Sequence, residues 1–257
     1  MCFFGRFFRL LSGCAVVAGC LLLCSAPCRA GEPEIGCIPE EKQVYELFWE
    51  MVPVGMATLR SEALTEIDSE PALHFSLRTK SNALLDPLYK VRNRIDAYTD
   101  TQMHHSLLYT EIEQGKDRKD KRIRFDWARS LARYQKNGKW KDPVPIRPGT
   151  FDPLSAFYFF RSRDLEPDST LQIPVCDGKK TFLVKVAVLG REEISVAGDL
   201  HPSYRLEPEL THFGGVFEES ENPEMTLWVR AEPPHILLRL ECRVIIGRVI
   251  AVLTAQE

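Results

Sequence analysis

The sequence predicts a mainly β protein: one strongly curved antiparallel sheet, half-barrel-like, with one or two short helices. Three observations carry this. Apolar residues recur with a period of two in many short runs, the mark of half-buried strands. Turn residues punctuate those runs at intervals of about ten. A convincing helix start occurs at one place only, Asp152-Pro153.

The elements follow in chain order. Arg6 and Arg9 precede an uncharged apolar run from Leu10 to Cys24. That run is shorter than the roughly 20 residues a membrane-crossing helix needs. It is followed by Ser25-Ala26-Pro27 and by Cys28-Arg29-Ala30, which places small residues at the end of a cleavage site. Residues 1–30 are therefore read as an export signal that is removed. A lipobox-like Val17-Ala18-Gly19-Cys20 offers a second reading, a lipoprotein tethered through Cys20. Residues 31–42, polar and containing Pro33 and Pro39, are expected to form a strap, and residues 43–257 a single β domain.

Within that domain Val44 to Trp49 reads as an aromatic-rich strand. Pro53-Val54-Gly55 reads as a turn, and Met56 to Leu64 as the returning strand. Leu73, Phe75 and Leu77 alternate with polar neighbours, as do Tyr89, Val91 and then Ile95 and Ala97, and again Ile123 and Phe125. Ser81 to Asp86 reads as one helical turn stopped by Pro87. Asn137-Gly138 is a tight-turn dipeptide of type I′ character, and Asp177-Gly178 is read as another. Phe182, Val184, Val186 and Val188 then share a face. Asp152 is the expected N-cap of a helix running to about Arg163, with Pro153 at its first position. The C-terminal part supplies Met225 to Val229, a Pro233-Pro234 turn, Ile236 to Leu240, and a strand from Val244 to Leu253 with Gly247 in its middle. Gly55, Asp152, Pro153, Gly178 and Gly247 are accordingly expected to be structural.

Charge and cysteine usage narrow the function. Taking Arg6, Arg9 and Arg29 away with the export segment leaves 30 of the 33 basic residues against 36 acidic ones. That acidic balance, without a basic stripe interleaved with aromatics, argues against nucleic acid. The run Lys116 to Arg122 reads as a solvated hairpin end. Of eight cysteines only Cys37, Cys176 and Cys242 lie outside the export segment, so at most one internal disulfide forms. Cys242 alternates with Leu238, Leu240 and Val244 and should face the core. Cys37 and Cys176 are the more accessible pair and the expected partners.

Chemical motifs are sparse. The chain has no G-x-S-x-G, H-E-x-x-H, CxxC or P-loop spacing. Ser155 beside Asp152 reads as a helix-start hydroxyl and not as a nucleophile. His104 and His105 are adjacent, so on a strand they face opposite sides and cannot share a metal. No metal, no cofactor and no catalytic residue are expected. The remaining signal is aromatic. Trp49, Phe75, Tyr89, Phe125, Phe157, Tyr158, Phe182 and Trp228 fall on faces expected to point inward, where they either fill a core or line an apolar hollow beneath the 152–163 helix.

Three landmarks resemble the bacterial envelope family catalogued as domain of unknown function 3108. They are Tyr45 to Leu59 with its Pro-Val-Gly, Phe151 to Arg161 with its aspartate, serine and closing arginine, and Trp228 to Leu253. The last hairpin departs from the family pattern, with Ala231-Glu232-Pro233-Pro234-His235 where an acidic residue and a basic pair are expected. The resemblance implies an exported curved sheet like that of periplasmic lipoprotein carriers, and no activity. The combined expectation is a periplasmic, non-catalytic binding or chaperone-type protein for an apolar ligand, a lipid or a lipoprotein acyl chain. A scaffold that holds another envelope protein through its sheet is the second reading, and an enzyme the third.

Overall fold

The structure, a computed structural model, describes residues 40–257 except 116–117 and 213–216, and only the backbone of Tyr89. The export segment with its Cys20, and Cys37, lie outside the described residues, as does the strap up to residue 39.

Among the described residues fifteen strands and two helices follow one another. They are β1 (Glu41–Trp49), β2 (Val52–Ile67), β3 (Glu70–Ser81), α1 (Asp86–Tyr89), β4 (Arg92–Asp100), β5 (Ser106–Gln114), β6 (Arg118–Asp126), β7 (Leu131–Lys136), β8 (Lys139–Trp140) and β9 (Val144–Pro145). Next come α2 (Pro153–Arg161), β10 (Ser169–Cys176), β11 (Thr181–Val196), β12 (Asp199–Pro208), β13 (Glu224–Arg230), β14 (Leu237–Val244) and β15 (Gly247–Gln256). All fifteen strands belong to one antiparallel sheet in the order β10-β11-β12-β13-β14-β15-β1-β2-β3-β4-β5-β6-β7-β8, with β9 also on β7. A twisted sheet this wide must curl to bury one face. The concave face carries Tyr45, Leu47, Leu59, Phe75, Ile95, Tyr109, Val186 and Leu240, all buried.

The curl is not closed by a strand ladder. Instead the segment before α2 spans the seam. The Phe151 N–H donates to the Pro174 carbonyl (2.9 Å), and the Phe151 carbonyl accepts from the Cys176 N–H (2.8 Å). Thr181 Oγ1 donates to the Pro145 carbonyl (2.7 Å). The β10–β11 turn docks on β6 and β7 so closely that a Cβ on Gly178 would lie 2.7 Å from Tyr134 Cδ2. Gly178, with φ of +90°, is thus required twice over.

Several expectations are corrected. Pro53-Val54-Gly55 is not a turn but the start of β2, and the chain reverses at Glu50-Met51, where Glu50 has φ of +54°. Gly55 is needed for a different reason: a Cβ there would lie 2.2 Å from the Lys80 carbonyl oxygen of the neighbouring strand. Residues 244–253 are not one strand, because β14 ends at Val244 and β15 begins at Gly247. The helical turn near residue 81 begins at Asp86 with Pro87 in its first turn, where proline is favoured, and does not stop there. Tyr89 lies in that helix and not on a strand. Asp177-Gly178 is not a type I′ pair: Asp177 Oδ1 accepts from the N–H groups of Lys179 and Lys180, giving a longer aspartate-capped turn. Asn137-Gly138, by contrast, has the paired positive φ values of type I′, 49° and 77°. The strap boundary at residue 42 falls inside β1, which begins at Glu41.

Candidate functional site

Register places the hairpin connections on two rims. The starts of β1 and β5 and the β13–β14 turn lie on one, and the β1–β2, β3–β4 and β14–β15 turns on the other. Helix α2 is tied to the first of these rims at both of its ends.

At its N-terminus the predicted cap is present. Asp152 Oδ1 accepts from the N–H groups of Leu154 (2.9 Å) and Ser155 (3.0 Å). Asp152 Oδ2 accepts from the hydroxyls of Ser106 and Ser155, both at 2.6 Å. The Asp152 N–H returns a bond to Ser106 Oγ (2.7 Å). All three residues are completely buried. Burial raises the Asp152 carboxyl above its ordinary value, and the hydroxyl and backbone donors only partly offset this. The Ser155 hydroxyl is engaged as a donor to Asp152.

The C-terminal end of the helix carries a clamp that the sequence did not announce. Arg161 makes a two-pronged ion pair with Glu41, Nη1 to Oε1 at 2.6 Å and Nη2 to Oε2 at 3.0 Å. The two side chains are only 4% and 7% exposed. Arg161 Nε also donates toward the carbonyls of Pro234 (3.3 Å) and His235 (3.2 Å). Burial alone would lower the guanidinium's affinity for its proton, but Glu41 more than offsets it, and the pKa is raised.

Between these anchors the helix turns Leu154, Ala156 and Phe157 toward the concave face, where two apolar cavities remain. The larger, about 120 Å3, is lined by residues that include Leu47, Ala57, Leu59, Leu240, Val249 and Ala251. The smaller, about 70 Å3, is lined by residues that include Val184, Val186, Leu206, Leu165 and Phe160. Pro153, Phe157, Met225 and Leu227 line both, so Phe157 stands in the partition. Side chains that carry a hydroxyl, ring nitrogen or charge are few in the linings: Tyr45 and Tyr109 in the larger, Arg161 and His235 in the smaller.

Of the seven aromatics expected at such a hollow whose side chains are described, Phe157 alone lines either cavity. Phe75 is fully buried and stacks on Tyr158 with ring centroids 3.9 Å apart, so both fill the core. Phe125 is core as well. Trp49 packs against the core and donates Nε1–H to the Ile246 carbonyl (2.8 Å). Phe182 sits beside His212 and under Lys180. Trp228 faces outward, where it donates to Glu192 and lies under Arg239, contrary to the inward placement expected. The side chain of Tyr89 is outside the description. Cavities open where side chains are short, so the informative residues were Ala57, Ala251, Ala156 and the aliphatic positions of β1, β2, β14 and β15.

Cys176 is completely buried, contrary to the accessibility expected of it, and burial raises its thiol pKa. Cys242 is buried, as its alternation predicts. Among the described residues no three His, Cys, Asp or Glu side chains are grouped to hold a metal ion. Among them, too, no helix is long and apolar enough to cross a membrane.

Comparison with known proteins agrees with this architecture. Residues 44–254 match the family described as "Protein of unknown function (DUF3108)". The chain belongs to the DUF3108 family. No curated protein matches this DUF3108 chain. Among solved structures it is similar to a β-barrel-like protein of domain of unknown function DUF1849 from Brucella abortus. That similarity has a TM-score of 0.54 at 7% identity and covers 85% of this chain and 97% of the other. At such identity the likeness concerns the fold alone. A putative exported protein with YmcC-like fold from Bacteroides fragilis is also matched, with a TM-score of 0.33, 9% identity, and coverage of 84% and 95%.

Proposed function

We propose that this DUF3108 protein is an exported, periplasmic, non-catalytic carrier that holds an apolar ligand, such as a lipid or lipoprotein acyl chain, in the concave face of its sheet. The observation that carries the reading is the pair of apolar cavities on either side of Phe157, under a helix anchored by hydrogen bonds and charge at its two ends and by Tyr158 on Phe75 between them. At 70 and 120 Å3 each falls below the roughly 300–1,000 Å3 of ordinary ligand pockets. Dry cavities of about 150 Å3 nonetheless accept a small apolar molecule. Displacing the Phe157 ring would join the two into a channel long enough for part of an acyl chain. Residues 1–30 support the compartment assignment through their basic, apolar and small-residue progression.

The test is mass spectrometry of an organic extract of the natively purified protein. Acyl lipid at near-stoichiometric amount is expected, and Ala57→Phe, which fills the larger cavity, should reduce it severalfold. An extract free of lipid, together with no calorimetric binding of a lysophospholipid, would remove the carrier reading and return the scaffold reading. Intact mass of the same sample checks export: a product beginning near Gly31 is expected.

A further inference from the structure

The rim opposite α2 is built differently from the one the helix seals. Among the described residues, five of the ten exposed large apolar side chains stand on three of its connections: Met51 and Val52 at β1–β2, Leu84 and Leu88 at β3–β4, and Ile245 at β14–β15. Met51, Leu88 and Leu84 are 84%, 73% and 70% exposed. The three connections belong to strands adjacent in the sheet, β14-β15-β1-β2-β3-β4, so the apolar tips form one row and not a scatter.

Directly beside that row, on the outer face, lies a block of four basic residues. Register sets Lys80 opposite Arg92 and Arg78 opposite Arg94. Like charges directly opposed across a strand pair oppose pairing, so the fold alone gives no reason for them. Asp86 pairs with Arg92 and Asp96 with Arg94. Arg78 and Lys80 are exposed and, among the described residues, have no acidic partner. The four line one shallow cleft with Thr58 and Gln114.

Apolar tips next to uncompensated basic charge are the combination that binds a protein to the surface of an anionic bilayer, the tips entering the headgroup layer and the cations facing the phosphates. We infer that this rim docks on an anionic membrane surface. The placement has a geometric corollary. Leu47, Cys242 and Val249, which line the larger cavity, lie two residues from the ends of β1, β14 and β15 that make the rim. Docking therefore brings the cavity next to the bilayer. The inference rests on the rim and not on the nature of any cargo.

Vesicle flotation of the full mature chain tests it, with pure phosphatidylcholine and with phosphatidylcholine containing 30% phosphatidylglycerol as probes (a proportion of about one anionic lipid in three, in the range where basic segments bind). Binding to the anionic vesicles only, weakening as salt rises, is expected. The double variant Arg78→Gln/Lys80→Gln should bind roughly thirtyfold more weakly, from the loss of two cations at a charged surface. Leu84→Ser/Leu88→Ser should also float less, and because all four positions are exposed, neither variant should change the melting temperature. Equal flotation with neutral vesicles, flotation with neither, or an undiminished Arg78→Gln/Lys80→Gln variant would overturn the inference. So would release from the anionic vesicles by millimolar inorganic phosphate, which would mark the block as a soluble-anion site. A parent that floats yet yields no lipid on extraction separates this result from the carrier reading.

Discussion

At the N-terminal end of α2 a buried carboxylate is satisfied by hydroxyls and backbone N–H groups. At the C-terminal end a buried guanidinium is satisfied by an opposite charge and two carbonyls. Asp152 draws its donors from its own helix and from Ser106, and among the described residues no countercharge contacts it. Arg161 depends on Glu41, a residue 120 positions away at the first position of β1. The difference teaches what each anchor can lose. A dipolar shell degrades one bond at a time, whereas an ion pair stripped of one member leaves a naked charge in the interior.

The largest effect is therefore expected from Glu41→Ala. Breaking a buried pair costs about 3–5 kcal/mol, which in a domain of this size lowers Tm by roughly 10 °C. Glu41→Leu combined with Arg161→Met should recover much of that loss, because no buried charge remains. If Glu41→Ala melts within a degree or two of the parent, the clamp is not a clamp. Asp152→Ala comes next, at about 2 kcal/mol, from the lost cap and from two hydroxyls left without their acceptor. Ser155→Ala is smaller, about 1 kcal/mol for one of four bonds to the carboxylate. It should leave lipid content unchanged; a folded Ser155→Ala protein that loses function would reopen the case for an enzyme.

pH sharpens the same contrast, with the smallest effect. The Asp152 pKa is raised on folding, so the native state holds that proton more tightly. Stability associated with it is greatest at acid pH and is lost as pH rises through the folded value. Asp96 has the opposite sign: burial would raise it, but the hydrogen bonds from His74 and Arg94 prevail and bring it to about 2. Its contribution is present above the unfolded value of 3.8 and is lost as pH falls through about 2. Urea titrations at several acid pH values should therefore show Asp96→Asn and Asp152→Asn flattening the profile in opposite directions. Arg161, charged throughout, should add no slope there.

The sequence disclosed what is local. Alternation located most strands, Asn137-Gly138 located its turn, and Asp152-Pro153 located the helix start. It did not disclose what depends on distant chain. Nothing beside Arg161 names Glu41, and nothing in Pro53-Val54-Gly55 says that the backbone of Lys80 presses against Gly55. Proline and glycine together resemble a turn whether they reverse the chain or bend one strand around another. Between the two readings open to the inward aromatics, filling a core or lining a hollow, size decides for most of them, because a large side chain removes a hollow. Phe75 and Tyr158 stack and fill the space, while Ala57 and Ala251 leave it.

The sheet order also has a consequence for how the molecule assembles. Along its path every neighbouring pair joins consecutive strands except β15 with β1. The chain is thus two meanders, β1 to β9 and β10 to β15, each made of hairpins with short reach. A single ladder from Gln43↔Gln256 to Trp49↔Val249 joins them. Local hairpins form quickly, and pairing across most of the chain is slow. The seven pairings of that ladder should be the last to gain protection in pulse-labelled hydrogen exchange during refolding. Until they form, each meander exposes half of an interior whose other half is still diffusing.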